Sequence, residues 1–161
     1  MHRRHWLATL SSLFAWPAFH ARAQDKGAKA AGRLAKTPAE WKKLLPPERF
    51  DILFEEGTER AGSSPLNAEK RDGTFVCGAC GQALFSSDTK YESGSGWPSF
   101  YDAVDRDAVE LVEDRSHGMV RVEVRCGNCH SHLGHLFDDG PNPTGQRYCM
   151  NSLALGFEPA D

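Results

Sequence analysis

The chain has 161 residues, 40% of them hydrophobic and 25% charged, with a formal net charge of −3. That composition is too apolar for an intrinsically disordered segment, and its acidic balance gives no electrostatic footprint for nucleic acid. The length suits one domain with a single modest core.

The chain opens with a basic head, an apolar run from Trp6 to Phe19, and Ala21-Arg22-Ala23 before Gln24. Those are the parts of an export signal peptide over residues 1–23. The run is shorter than the about 20 apolar residues that cross a bilayer and is broken by Ser and Pro17, so no stable membrane insertion is expected. The alternative is an amphipathic start to the domain. Arg3-Arg4 ahead of Trp6-Leu7 resembles a twin-arginine signal, which exports a folded, metal-loaded domain, here to a bacterial periplasm. Removal of Arg3, Arg4 and Arg22 takes the formal charge from −3 to −6. Residues 24–36 have no hydrophobic period and read as a linker, leaving residues 37–161 as the domain.

Thr37-Pro38-Ala39-Glu40 is a helix start, with Thr37 as cap, Pro38 at the first helical position and Glu40 closing a capping box. Pro46-Pro47 ends that helix. A second one is expected from about Pro47 to Glu56, with Phe50, Leu53 and Phe54 on one face and Gly57 as its stop. Beyond Gly57 the pattern changes to short runs separated by Gly, Pro, Asp and Ser: Thr74–Cys77, Ala83–Phe85, Val109–Val112, Val120–Arg125, Arg147–Asn151 and Leu153–Phe157. In Arg121–Arg125, valines alternate with charged residues at the period of a half-buried strand. The predicted body is mainly antiparallel β, with small helices confined to its start.

Five cysteines punctuate that body. Cys77/Cys80 and Cys126/Cys129 form two C-x-x-C pairs, each with nearby glycines (Gly78 and Gly81, Gly127) that let a turn close. Two such pairs make one tetrahedral zinc site tying distant segments together. Zinc contributes about 10–16 kcal/mol to zinc-finger peptides, so the clip is worth several kcal/mol to a loop-rich domain. Other readings are two C-x-x-C disulfides, a thioredoxin-like redox pair, and c-type haem on Cys126-Gly127-Asn128-Cys129-His130, which gives Cys77 and Cys80 no role. Cys149 is left over. On a strand it shares a face with Arg147 and Asn151, and a guanidinium two residues away favours thiolate. His132 and His135 flank Leu133-Gly134. They fall on opposite faces of a regular strand, so they share a site only if Gly134 bends the chain, and then they suit proton transfer.

Several segments together resemble the methionine-R-sulfoxide reductase B family: Gly57-Thr58-Glu59-Arg60, Ser93-Gly94-Ser95-Gly96-Trp97-Pro98-Ser99-Phe100, His132-Leu133-Gly134-His135, Asp139-Gly140-Pro141 and Arg147-Tyr148-Cys149-Met150-Asn151-Ser152, with both cysteine pairs. The likeness runs over residues 37–158. It implies two antiparallel β-sheets around a zinc-clipped core with short N-terminal helices, and reduction of the R epimer of methionine sulfoxide, protein-bound or free. It implies Cys149 as nucleophile, His132 and His135 as the proton supply, Asn151 and Arg147 as orienting neighbours, and Trp97 as an aromatic wall for the substrate methyl group. Many relatives carry a resolving cysteine where this chain has Ser95, so regeneration by an external thiol or thioredoxin-like protein is expected. A second departure is Ala61-Gly62 in place of Pro-Phe. A monomer is expected. The competing class is a non-catalytic exported zinc-ribbon binding module.

Overall fold

The computed structural model describes residues 36–161, so the expected signal peptide and nearly all of the linker lie outside the described residues. Two short helices come first, α1 (Pro38–Leu44) and α2 (Pro47–Phe54). The capping box forms: Glu40 N–H donates to Thr37 Oγ1 at 3.3 Å, and Thr37 N–H donates to Glu40 Oε2 at 2.7 Å. α1 buries Trp41, whose ring stacks on Phe54 at 5.8 Å, while Phe50 stacks on Phe54 at 5.4 Å. α2 buries Phe50, Ile52 and Leu53. Its end differs from the expectation. Glu56, not Gly57, takes the left-handed conformation (φ 55°), and Gly57 N–H returns to the Asp51 carbonyl at 3.1 Å. Gly57 serves by its size, since a Cβ there would fall 2.5 Å from Asp51 Oδ2.

Nine strands follow: β1 (Gly73–Cys77), β2 (Ala83–Ser86), β3 (Lys90–Tyr91), β4 (Ser99–Phe100), β5 (Val109–Asp114), β6 (Arg121–Cys126), β7 (His132–Phe137), β8 (Arg147–Met150) and β9 (Leu155–Pro159). They form two antiparallel sheets, one ordered β2-β1-β9 and the other β3-β4-β8-β7-β6-β5. The mainly β expectation holds, as do the helices at the start. Three strands escaped the sequence reading, β3, β4 and β7, and one-turn 3-10 segments at Pro65–Ala68, Ser87–Thr89, Ser116–Gly118 and Ser152–Ala154 show that helical turns are not confined to the start. Among the described residues no helix is long and apolar enough to cross a membrane.

The core is aromatic. Phe75 from the smaller sheet meets Phe100 from the larger edge to face at 4.9 Å, and Phe85 stacks on Phe100 at 4.4 Å, all three fully buried. Each such side chain contributes about 1.5–3 kcal/mol of burial, and the paired rings add a further fraction. α2 packs against β7 and adds Ile52 and Leu53 to the same core. β6 departs from the expected alternation. Val124 is buried, yet Val122 is 38% exposed and Glu123 only 4% exposed.

Candidate active site

Each C-x-x-C forms the same knuckle. Gly81 N–H returns to the Cys77 carbonyl at 2.9 Å and Cys77 N–H to the Gln82 carbonyl at 2.8 Å; His130 N–H and Cys126 N–H repeat this with Cys126 and Ser131, at 2.9 Å each. The left-handed residue after the second cysteine is Gly81 (φ 73°) in one knuckle and His130 (φ 59°) in the other. The inner glycines have a different task from the expected turn closure. Gly78 and Gly127 lie against backbone, and a Cβ on Gly127 would fall 2.0 Å from the Asp107 carbonyl. The four sulfurs lie within 4.8 Å of one another and are placed to hold a metal ion. Cross-knuckle pairs are closest, Cys77 to Cys129 at 3.7 Å and Cys80 to Cys126 at 3.6 Å. All five thiols are free of disulfides. The hydrogen bond from Cys126 pulls the Cys129 thiol below its ordinary value. That convergence leaves no separate Cys126/Cys129 pair for haem, and His130 Nδ1 is held by Glu110 Oε2 at 2.8 Å.

Cys149 lies apart from the cluster, half-buried on the larger sheet. Tyr91, Ser99, Cys149, His135, Glu123 and Val112 are successive register partners across β3, β4, β8, β7, β6 and β5. Directly opposed residues share a face with Cβ atoms about 4.5–5.5 Å apart, so Cys149 stands between a hydroxyl and an imidazole. His132 joins them through a bulge. Val124 pairs with Gly134 while Arg125 pairs with His132, which leaves Leu133 as an extra residue and turns His132 to the face of His135. The two rings meet edge to face, 5.4 Å between centroids. Gly134 permits the close crossing of β7 and β8, because a Cβ there would fall 2.2 Å from the Cys149 carbonyl.

Each histidine is backed by a carboxylate that sequence reasoning missed. His132 Nδ1 lies 2.8 Å from Glu123 Oε1, and Glu123 Oε2 accepts from Arg125 Nε at 2.8 Å. Burial opposes the Glu123 charge, but the hydrogen bonds from Arg125 and His132 outweigh it and keep the carboxyl below its ordinary value. His135 Nε2 lies 2.9 Å from Asp114 Oδ2, which also accepts from Arg121 at 2.6 Å. Burial pushes the His135 pKa down while the Asp114 hydrogen bond resists. His132 is enclosed, its Nε2 buried without a partner, whereas His135 keeps 15% of its side chain exposed and Nδ1 without a hydrogen bond to the described residues. His135 is thus the imidazole open to a substrate, and His132 stands behind it. The sequence did carry one sign of Glu123: an acid with arginine two places before and after.

Asn151, Trp97 and Arg147 fall on the same side. Asn151 is buried; its Oδ1 accepts from Glu59 N–H at 3.2 Å and its Nδ2 donates to the Leu133 carbonyl at 3.3 Å. Trp97 Nε1 donates to the Glu59 carbonyl at 3.2 Å, and its ring is half-buried. The Glu59 carboxylate accepts from Ser152 N–H at 2.6 Å and Leu153 N–H at 3.1 Å, so one residue fastens both flanks of the site. The Arg147 guanidinium sits over the Phe137 ring at 4.3 Å and grips Asp139 at 2.7 and 2.9 Å. That pairing pulls the Asp139 pKa down. Ser95 Oγ lies 3.8 Å from Cys149 Sγ. Ala61, the second departure, lies against Gly96, whose carbonyl accepts from Gly62 N–H at 2.7 Å.

The SelR domain profile matches residues 45–159. A protein of Methanosarcina mazei named peptide methionine sulfoxide reductase MsrB is 56% identical over 128 residues, 80% of this chain and 91% of its own length. Proteins of the same name from Leptospira interrogans and Pseudomonas putida are 55% identical over 123 residues (76% of this chain, 94% of that protein) and 47% identical over 129 residues (80% and 98%).

Proposed function

The chain belongs to the SelR-domain family of methionine-R-sulfoxide reductases B, and we propose that it reduces methionine-R-sulfoxide in oxidised proteins or peptides by attack of Cys149. One observation carries the chemical assignment: Cys149 stands outside the four-cysteine cluster, in register with His135, whose other side rests on Asp114. The Cys149 thiolate forms a bond to the sulfoxide sulfur while His135 protonates the oxygen. The substrate S–O bond and the new S–S bond then break as the hydroxyl passes to the Cys149 sulfur, leaving methionine, reduced by two electrons, and a Cys149 sulfenic acid, oxidised by two. Trp97 offers the substrate methyl group an aromatic face worth about 0.3–1.5 kcal/mol. Asn151 acts by holding the Leu133 carbonyl and the Glu59 segment in place, and Arg147 adds positive potential near the thiolate.

The four remaining thiols suit zinc as a structural clip. Four ligands at about 2.3 Å in a tetrahedron have edges near 3.8 Å, close to the 3.7 and 3.6 Å between the cross-knuckle sulfurs. Zinc would fix the two knuckles and keep those thiols out of disulfide chemistry. No free cysteine then neighbours Cys149 among the described residues, which supports regeneration by an external thiol: one thiol condenses with the sulfenic acid to release water, and a second frees Cys149 as a disulfide departs. Residues 1–23 support export to a periplasm, the twin-arginine route fitting a domain that must meet its metal beforehand, and residues 37–161 support one catalytic domain working as a monomer.

The test is an assay of both epimers of a methionine sulfoxide peptide with dithiothreitol, beside metal analysis and Cys149→Ser. Turnover of the R epimer, lost in Cys149→Ser with zinc and fold retained, is expected. Activity on the S epimer alone, or turnover surviving in Cys149→Ser, overturns the assignment.

A further inference from the structure

The turn from Ser93 to Ser99 lies over Cys149 and brings three hydroxyls into line behind it. Ser95 Oγ is 3.8 Å from Cys149 Sγ, Ser93 Oγ is 2.8 Å from Ser95 Oγ, and Ser99 Oγ is 2.7 Å from Ser93 Oγ. Ser99 is fully buried and opposes Cys149 in the β4–β8 register, so both ends of the series flank the same strand. The Trp97 carbonyl closes it, 3.2 Å from Ser99 Oγ and 3.4 Å from Ser95 Oγ. Left-handed Gly94 (φ 74°) and Gly96 (φ 90°) turn Ser95 inward, and Gly96 is tied down through its carbonyl by Asn67 Nδ2 at 2.6 Å.

Each hydroxyl has a single proton to donate. Around a neutral thiol the protons are free to run outward and end on the Trp97 carbonyl. Around a negative sulfur the order reverses: Ser95 donates to Cys149, Ser93 to Ser95 and Ser99 to Ser93. Three rotations answer the charge, and no proton changes its owner.

Resting on the reading of Cys149 as nucleophile, we propose that Ser95 is a catalytic residue, its hydroxyl donating to the Cys149 sulfur whenever that sulfur is negative, with Ser93 and Ser99 ordering the proton behind it. The other charged or titratable groups near Cys149 are His135 on β7, Arg147 on β8 with its partner Asp139, and Tyr91 on β3. Arg147 is gripped by Asp139, and Tyr91 is held neutral by burial, which pushes its pKa up. Ser95 is the neutral donor in contact with the sulfur. The position that carries a resolving cysteine in many relatives thus has its own task here.

The experiment follows alkylation of Cys149 by iodoacetamide in the zinc-loaded full chain, read by mass spectrometry of the Cys149 peptide, with Cys149→Ser as blank. A hydrogen bond to a charged group is worth roughly a tenfold change in thiolate population or more, of which about half on a logarithmic scale is given back because a stabilised thiolate is a weaker nucleophile. Ser95→Ala is therefore expected to alkylate about threefold more slowly at pH 7. Ser95→Thr, which keeps the hydroxyl, restores the rate, and Ser93→Ala falls between. Wild-type alkylation of Ser95→Ala at pH 7 overturns the proposal; if that variant fails to fold, an unchanged Ser93→Ala rate does so instead. A slow Ser95→Ala that lies on a parent with no sulfoxide turnover would refute the reductase reading while leaving the hydroxyl series standing.

Discussion

Replacing Glu59 tests how the site is held. Its carboxylate is 9% exposed and accepts two backbone N–H groups, Ser152 at 2.6 Å and Leu153 at 3.1 Å. These cap the Ser152–Ala154 turn, where Asn151, the residue in the capping position, gives no side-chain bond of its own. A hydrogen bond to a charged group contributes about 1.5–3 kcal/mol, and a buried donor left without a partner costs its desolvation. Ser152 is 2% exposed and bears that cost in full, while half-buried Leu153 regains some water. Glu59→Ala should therefore lower unfolding stability by about 3–4 kcal/mol, read from urea midpoints at constant m-value. Glu59→Gln should lose most of the same, because one oxygen becomes an NH2 group facing an N–H donor. Since Glu59 main chain also holds Asn151 and Trp97, kcat/KM for the sulfoxide peptide should fall on the order of 10-fold in the folded fraction, with zinc content intact. A Glu59→Ala protein within 1 kcal/mol of the parent, or one that keeps its kcat/KM, would refute the reasoning.

Asp114→Asn removes the bond that resists the burial-driven lowering of His135. His135 then holds its proton only at lower pH, so the alkaline limb of the pH–rate profile should move downward, with a loss on the order of 10-fold at pH 8 that shrinks on acidification; an unmoved limb argues against His135 as the acid. Chelation should release one zinc per chain and remove several kcal/mol of stability, seen as a drop in melting temperature that returns on adding zinc. The inner knuckle glycines should behave unequally: Gly127→Ala meets a carbonyl oxygen at 2.0 Å and should cost about 3 kcal/mol or more, whereas Gly78→Ala meets one at 3.0 Å and should cost about 1 kcal/mol, by thermal unfolding.

The zinc-type cysteines, the capped first helix, Cys149 and the paired histidines were legible because each rests on local chemistry: sulfur spacing, a capping box, an odd thiol. What stayed hidden depends on layers. The alternation in β6 put Glu123 on a solvated face because one covered face is the ordinary arrangement of an antiparallel sheet. Here Glu123 is buried all the same, held between His132 and Arg125, and Arg125 reaches on to Glu56 just past α2 at 3.5 Å. Glu59 lies within Gly57-Thr58-Glu59-Arg60 with no local sign of its role, since nothing in its neighbourhood signals two amides that come from 93 and 94 residues away in sequence.

The burial of Glu123 and His132 also matters to the chemistry proposed for this face. A sheet face left bare would solvate the histidines and their carboxylates and weaken every charge interaction among them. Along one row Glu123 is 4% exposed, His135 15% for its side chain and Cys149 half-buried, before Ser99 on β4 is fully buried again. The imidazoles and their carboxylates are thereby held drier than the Cys149 sulfur, which in the proposed mechanism has to meet a sulfoxide and then a thiol. Leu133, bulged out of the pairing, brings His132 onto that face. Paired regularly, Leu133 would take the place opposite Arg125 and His132 would fall on the other face, so the bulge is a requirement of the site rather than an irregularity of the sheet.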